Sequence, residues 1–295
     1  MQTYPRLWHV NLLYAVTLIL VVFVGGVIQL ANLPLGLIAV EILFLLVPAL
    51  LYLRVARLPI RETLRLRWPG WPTILLCLAG GAGVWFLASW LEAVISPLYG
   101  YTIGSIPDFF PRTIGGTLLL AAALALSAPI GEEVFFRGVL MRGYERFGPA
   151  VAIVASSLLF AFYHVRFQGL LPLIPIAFVL GYVVWRTDSL YAGMAVHFVN
   201  NLLAAGYLVL ATRQPDLSLP IISAPAALAG LVVAAACLWA LQRLHRPPAP
   251  AARVGDTRLI LALLPLLLAG LVYVFGAVNE VILGRFPQLL AFGQE

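Results

Sequence analysis

The chain has no lysine. All 18 of its basic residues are arginine, against 12 acids, and charged residues of every kind make up only 10% of 295 positions. Such scarcity excludes an ordinary soluble domain, in which about a quarter of residues are charged. With 62% apolar residues and a mean hydropathy of +1.01, the composition points instead to an all-α, polytopic transmembrane helical bundle. The basic excess gives a pI of 9.6, but most arginines fall in short stretches between apolar runs. They report topology and contact with anionic lipid headgroups, and a nucleic-acid partner is excluded. Cysteine is scarce too. Cys77 and Cys237 lie inside apolar runs without metal-ligand spacing and read as buried thiols. No internal repeat is visible, and neither a His-Glu-x-x-His zinc motif nor a Gly-x-Ser-x-Gly elbow is present.

Apolar runs are what the chain has in abundance. The first, 10–31, is longer than a signal-peptide core and lacks a polar cleavage region, so it reads as a retained span. A window of about 20 residues finds further spans near 35–55, 72–96, 113–135, 149–165, 168–186, 189–211, 219–242 and 258–279, giving a bundle of about eight or nine. Arg6, the group from Arg54 to Arg67, Arg142, Arg146, Arg186, Arg243, Arg246, Arg253 and Arg258 fall on one side, 13 of 18; Arg112, Arg166, Arg213 and Arg285 fall on the other. The positive-inside rule then predicts a cytosolic N-terminus in a prokaryotic-type plasma membrane. Between spans, 58–71 reads as an amphipathic piece at the inner interface or as a basic loop, and 99–112 as an outer loop. A Pro-rich linker at 247–250 divides a membrane-embedded domain, 1–246 with its motif core at 113–211, from a C-terminal segment, 247–295, that carries an accessory helix.

Gly131-Glu132-Glu133-Val134-Phe135-Phe136-Arg137-Gly138 places two acids and an arginine among hydrocarbon side chains. A charge at the bilayer centre costs ~2.5 to 3.5 kcal/mol on insertion scales, so such groups are functional candidates by default. On a helix Glu133 and Arg137 are i,i+4 neighbours and can pair, while Glu132 points about 100° away. One carboxylate is neutralised by its own helix and the other is left for chemistry. Glu41 and Glu92 are single acids in spans without companions and are given no catalytic role.

Two further constellations follow. Phe160 and His164 share a face at the end of the fifth span, and His197 and Asn201 share a face in the seventh. His9 and His245 sit at span ends, where an interfacial role explains them. If the helix carrying Glu132 runs on to Arg146, Glu132 lies ~21 Å from its end; His164 lies ~22 Å past Pro149, and His197 and Asn201 lie ~14 to 20 Å past the turn at Thr187-Asp188, at 1.5 Å per residue. All four meet at one depth. Singly, each has a structural explanation: an intrahelical ion pair, an interface histidine, or interhelical hydrogen bonds worth roughly 1 kcal/mol. Their coincidence favours a site.

Glu132-Glu133-x-x-x-Arg137, Phe160-x-x-x-His164 and His197-x-x-x-Asn201, in that order on successive helices, resemble the three motifs of the CAAX-protease and bacteriocin-processing (CPBP, or Abi) family, which includes the type II CAAX prenyl endopeptidases. The resemblance implies an intramembrane endopeptidase in which Glu132 and His164 activate a water and His197 with Asn201 stabilise the oxyanion, Glu133, Arg137 and Phe160 supporting them. It implies no cofactor, and as partners the bilayer and a protein or peptide substrate, prenylated or not. A zinc protease using Glu132, Glu133, His164 and His197 is the alternative within enzymes. A non-catalytic immunity- or transport-type membrane protein is the alternative outside them.

Overall fold

The computed structural model describes residues 4–101, 111, 113–213, 222–246, 248 and 259–286. Among the described residues 87% are helical and none is in a strand. Among the described residues eight helices are long and apolar enough to cross a membrane: α1 (Leu7–Ala31), α2 (Leu33–Val55), α3 (Trp71–Tyr99), α4 (Ile114–Phe147), α6 (Leu170–Thr187), α7 (Leu190–Arg213), α8 (Ala224–Leu244) and α9 (Leu259–Arg285). The ninth, α5 (Pro149–Tyr163), is apolar but only 15 residues long. Most of the expected outer loop 99–112, and the expected linker 247–250 apart from Pro248, lie outside the described residues.

Helix starts follow from local chemistry. Asn32, Thr113 and Ser223 cap α2, α4 and α8 by accepting from Leu35 N (3.1 Å), Gly116 N (3.1 Å) and Ala226 N (3.4 Å). Prolines occupy the first turns of α2, α3, α5 and α8, where a missing N–H costs nothing. Between α4 and α5 the backbone turns at Gly148 with φ +102°, a conformation that favours glycine.

α3 is held close to two neighbours through the run Gly80-Gly81-x-Gly83. Gly80 faces Cys237 of α8, Gly81 faces the Val196 backbone of α7, and Gly83 meets the Gly230 backbone of α8. Small residues allow this approach, and dispersion contacts between close backbones then replace the hydrophobic drive that lipid removes. Cys77 and Cys237 are free and buried at this seam, as the sequence led us to expect.

The 58–71 segment corrects its amphipathic reading. A single helical turn, Ile60–Thr63, is all that forms. Arg65 then adopts φ +53° and turns inward, 2% exposed, instead of sharing an exposed face with Arg61. Its guanidinium reaches Glu145 and Asp188, and its carbonyl accepts from Leu190 N at 3.0 Å. Ion pairing with two other segments outweighs local periodicity here.

The site rests on α4. This helix runs through Pro129 without breaking and continues to Phe147, but two stretches, Ala123–Ser127 and Glu133–Leu140, are wound as π-helix. Such widened turns are frequent at functional sites. Beneath them, Phe136 packs edge-on against Phe160 and Tyr163 of α5, each with ring centroids 5.2 Å apart. These aromatics fix α5 against α4 at the depth of the acids.

Candidate active site

Glu133 and Arg137 form the expected i,i+4 pair, Nη1 to Oε1 3.0 Å, and neither side chain is exposed at all. Arg137 is further fixed by donating Nη2 to the Ala177 carbonyl of α6 at 3.1 Å, and its guanidinium lies 4.3 Å from the Phe160 ring centroid. That placement adds a cation–π contact in a dry setting, where it is strongest. The second oxygen of Glu133 sits in the notch left by Gly193 on α7, where a Cβ would stand 2.9 Å from it. One helical turn later comes His197.

His197 joins both acids. Its Nδ1 lies 3.0 Å from Glu133 Oε1 and its Nε2 lies 3.6 Å from Glu132 Oε2. A carboxylate paired with Arg137 accepts and does not donate, so Nδ1 carries the hydrogen. This bears on the oxyanion role that the resemblance implies for His197. Nε2 can donate to an oxyanion only when both ring nitrogens carry hydrogen, and otherwise it offers a lone pair toward Glu132.

Glu132 itself has no arginine. Its side chain is 13% exposed, and Oε2 is buried without a hydrogen bond. Behind it lies Glu41, 8% exposed, with its carboxylate against the Gly131 backbone and within electrostatic reach of Glu132. Reading Glu41 as an acid without companions is therefore corrected, and so is the same reading of Glu92, which pairs with Arg166 at 3.1 Å. Gly131 was the only signal for Glu41. It shows that something approaches closely but not what.

His164 caps the C-terminus of α5, its ring 4.8 Å from that of Phe160. Its Nδ1 lies 2.9 Å from the Phe160 carbonyl, which only accepts; Nδ1 therefore carries hydrogen and Nε2 keeps the lone pair that a base needs. Phe160 also meets the His197 ring edge-on at 5.7 Å, so one aromatic separates the two histidines.

Asn201 donates to the carbonyl of Leu124, at the first π-helical stretch of α4, at 2.9 Å. An amide NH2 has a second hydrogen, and the Leu124 bond sets where that one points. Asn200, the residue before it, points about 100° away along the helix yet donates to Asn201 Oδ1 at 3.2 Å and orients the same amide. Flexible side chains bridge adjacent helical positions that backbone geometry separates. Of the expected residues, Glu132, Glu133, Arg137, Phe160 and His197 are in direct mutual contact, His164 joins through Phe160, and Asn201 is tied to α4 one turn beyond His197. Among the described residues no grouping of three or more His, Cys, Asp and Glu side chains has the arrangement of a metal site.

Fold and geometry together define a polytopic helical membrane protein with a desolvated acid–histidine cluster at its centre. Residues 114–203 match the family model described as type II CAAX prenyl endopeptidase Rce1-like, in agreement with the resemblance carried by the three motifs. The match covers about a third of the sequence and contains every expected site residue. No curated protein and no solved structure matches.

Proposed function

We propose that the protein is an intramembrane endopeptidase that hydrolyses a peptide bond near the cytosolic membrane interface, with Glu132 and His164 activating the water. Glu132 takes a proton from water, the oxygen adds to the scissile carbonyl, and the tetrahedral species collapses with that proton passing to the leaving amine. The oxyanion is received by the second N–H of Asn201 and by His197 when Nε2 bears hydrogen, donors that act strongly in a water-poor setting. Arg137 pairs with Glu133, and Glu133 sets the His197 ring.

One observation carries this reading: Glu132 is the carboxylate of the motif without an arginine partner, and it stands 3.6 Å from the His197 ring whose other nitrogen faces Glu133. Acids within membrane spans are functional candidates by default. The substrate we propose is a protein or peptide presented at the inner surface, and the arginine-rich loops support a cytosolic N-terminus by the positive-inside rule, in what we propose is a prokaryotic-type plasma membrane. The test is cleavage of fluorogenic peptides, farnesylated and unmodified, by purified protein in lipid. Turnover of neither, or turnover undiminished in Glu132→Gln, overturns the proposal.

A further inference from the structure

α5 and α6 have 15 and 18 residues, about 22 and 27 Å of helix. Both fall short of a hydrocarbon layer ~30 Å thick. The turn between them, 165–169, is therefore sunk below the outer surface, and it begins at the residue after His164. Non-helical backbone at such depth needs partners from protein, because lipid offers none.

α9 supplies them. Glu280 Oε2 accepts from Phe167 N at 2.6 Å, while Oε1 accepts from Gln168 N at 2.8 Å and from the Tyr101 hydroxyl at 3.2 Å. Gln168 in turn donates Nε2 to the carbonyls of Ser96 and Tyr101, each at 3.1 Å. Val165 has φ +49°, which for a β-branched residue is an outlier that persists only where surroundings enforce it. Its Cγ1 fills the space where Gly276 lacks a side chain, and a Cβ there would overlap it. Two residues before His164, Phe162 packs edge-on against Tyr273 at 4.9 Å. Tyr273, Gly276 and Glu280 stand at i, i+3 and i+7, one face of α9.

We infer that this face of α9, outside the family-matched segment, is a positioning element for His164: Gly276 and Glu280 hold the strained turn that aims the imidazole Nε2 at the site. The Phe160 carbonyl fixes Nδ1, but at the last turn of α5 no helix follows to hold the backbone of His164. α9 does that instead. The inference rests on the reading that His164 activates the water.

The experiment uses full-length protein in lipid with 15N-labelled histidine, comparing Glu280→Ala, Gly276→Ala and, as a control on the same helix, Asn279→Ala. Displacing a catalytic group slightly costs ~10 to 100-fold in kcat, so both site-facing variants should lose that much while KM stays within about twofold. The His164 ring resonances should shift while those of His9 and His245 stay, and Asn279→Ala should match the parent. Val165→Gly, which removes both the clash and the strain, should restore Gly276→Ala. If Glu280→Ala folds poorly, Glu280→Gln keeps one acceptor and should give a smaller shift in the same direction. A lower melting temperature with kcat per folded molecule and the His164 signal unchanged would make α9 a structural cap and overturn the inference. Turnover retained in Glu132→Gln would overturn the catalytic reading instead, and the resonance shift separates the two failures.

Discussion

Two charge clusters, one reaching the surface at Arg67 and one buried, are built differently. Near the ends of α4 and α6, both oxygens of Glu145 face guanidinium groups, those of Arg65 and Arg142, and both oxygens of Asp188 do too, those of Arg65 and Arg67. That cluster ties the 58–71 loop to the helix ends. In the membrane centre, one arginine and one histidine serve Glu132 and Glu133, and an oxygen of each acid is buried without a hydrogen bond. Fully matched carboxylates are fixed in one state. An acid left short of donors keeps capacity for a proton or a water, which is what general-base chemistry requires.

The sharpest break in this comparison is Glu132→Gln. It keeps size and hydrogen bonding but removes the base, and turnover should fall ~100-fold or more while the protein folds as before. Asn201→Ala comes next, with a loss of ~100 to 1,000-fold in kcat and little change in KM if it donates to the oxyanion. A role confined to its bond with Leu124 would appear as about 1 kcal/mol of stability and a normal rate. Asn200→Ala should show a smaller loss of rate, because it orients the Asn201 amide.

Arg137→Ala and Arg65→Ala separate the clusters directly. Arg137→Ala strands the buried Glu133 carboxylate at a cost of ~3 to 5 kcal/mol, whereas Arg65→Ala leaves Glu145 with Arg142 and Asp188 with Arg67, so both should melt early and Arg137→Ala the earlier. Only Arg137→Ala should also lower kcat of the folded fraction, and equal kinetic damage from both would erase the distinction drawn between the two networks. The smallest effect is expected from chelators: a water activated by Glu132 and His164 alone needs no ion. Elemental analysis should find substoichiometric zinc, and activity recovered only on adding metal would support the zinc alternative.

Composition and periodicity were enough for an all-α membrane bundle, for the approximate places of its apolar helices, though α4 runs on to Phe147 where the expected span ended at 135, and for the i,i+4 pair of Glu133 and Arg137. They were enough because lipid permits few structures and because neighbours one turn apart on a helix are fixed by its pitch. The common depth of Glu132, His164, His197 and Asn201 followed from the same arithmetic. What helix arithmetic lacks is rotation and side-chain reach. It could not show that His197 bridges both acids, that Asn201 is anchored to the Leu124 carbonyl, that Glu41 backs Gly131, or that Arg65 turns inward at φ +53°.

The amino-acid order by itself determined which residues share a helix face and how far each lies from a helix end, since both are properties of a single helix. Only the tertiary structure decided which faces meet. The contacts that settle this lie between segments far apart in sequence, such as Glu280 with Phe167 or Glu41 with Gly131, and they depend on how glycine notches and aromatic rings let whole helices approach.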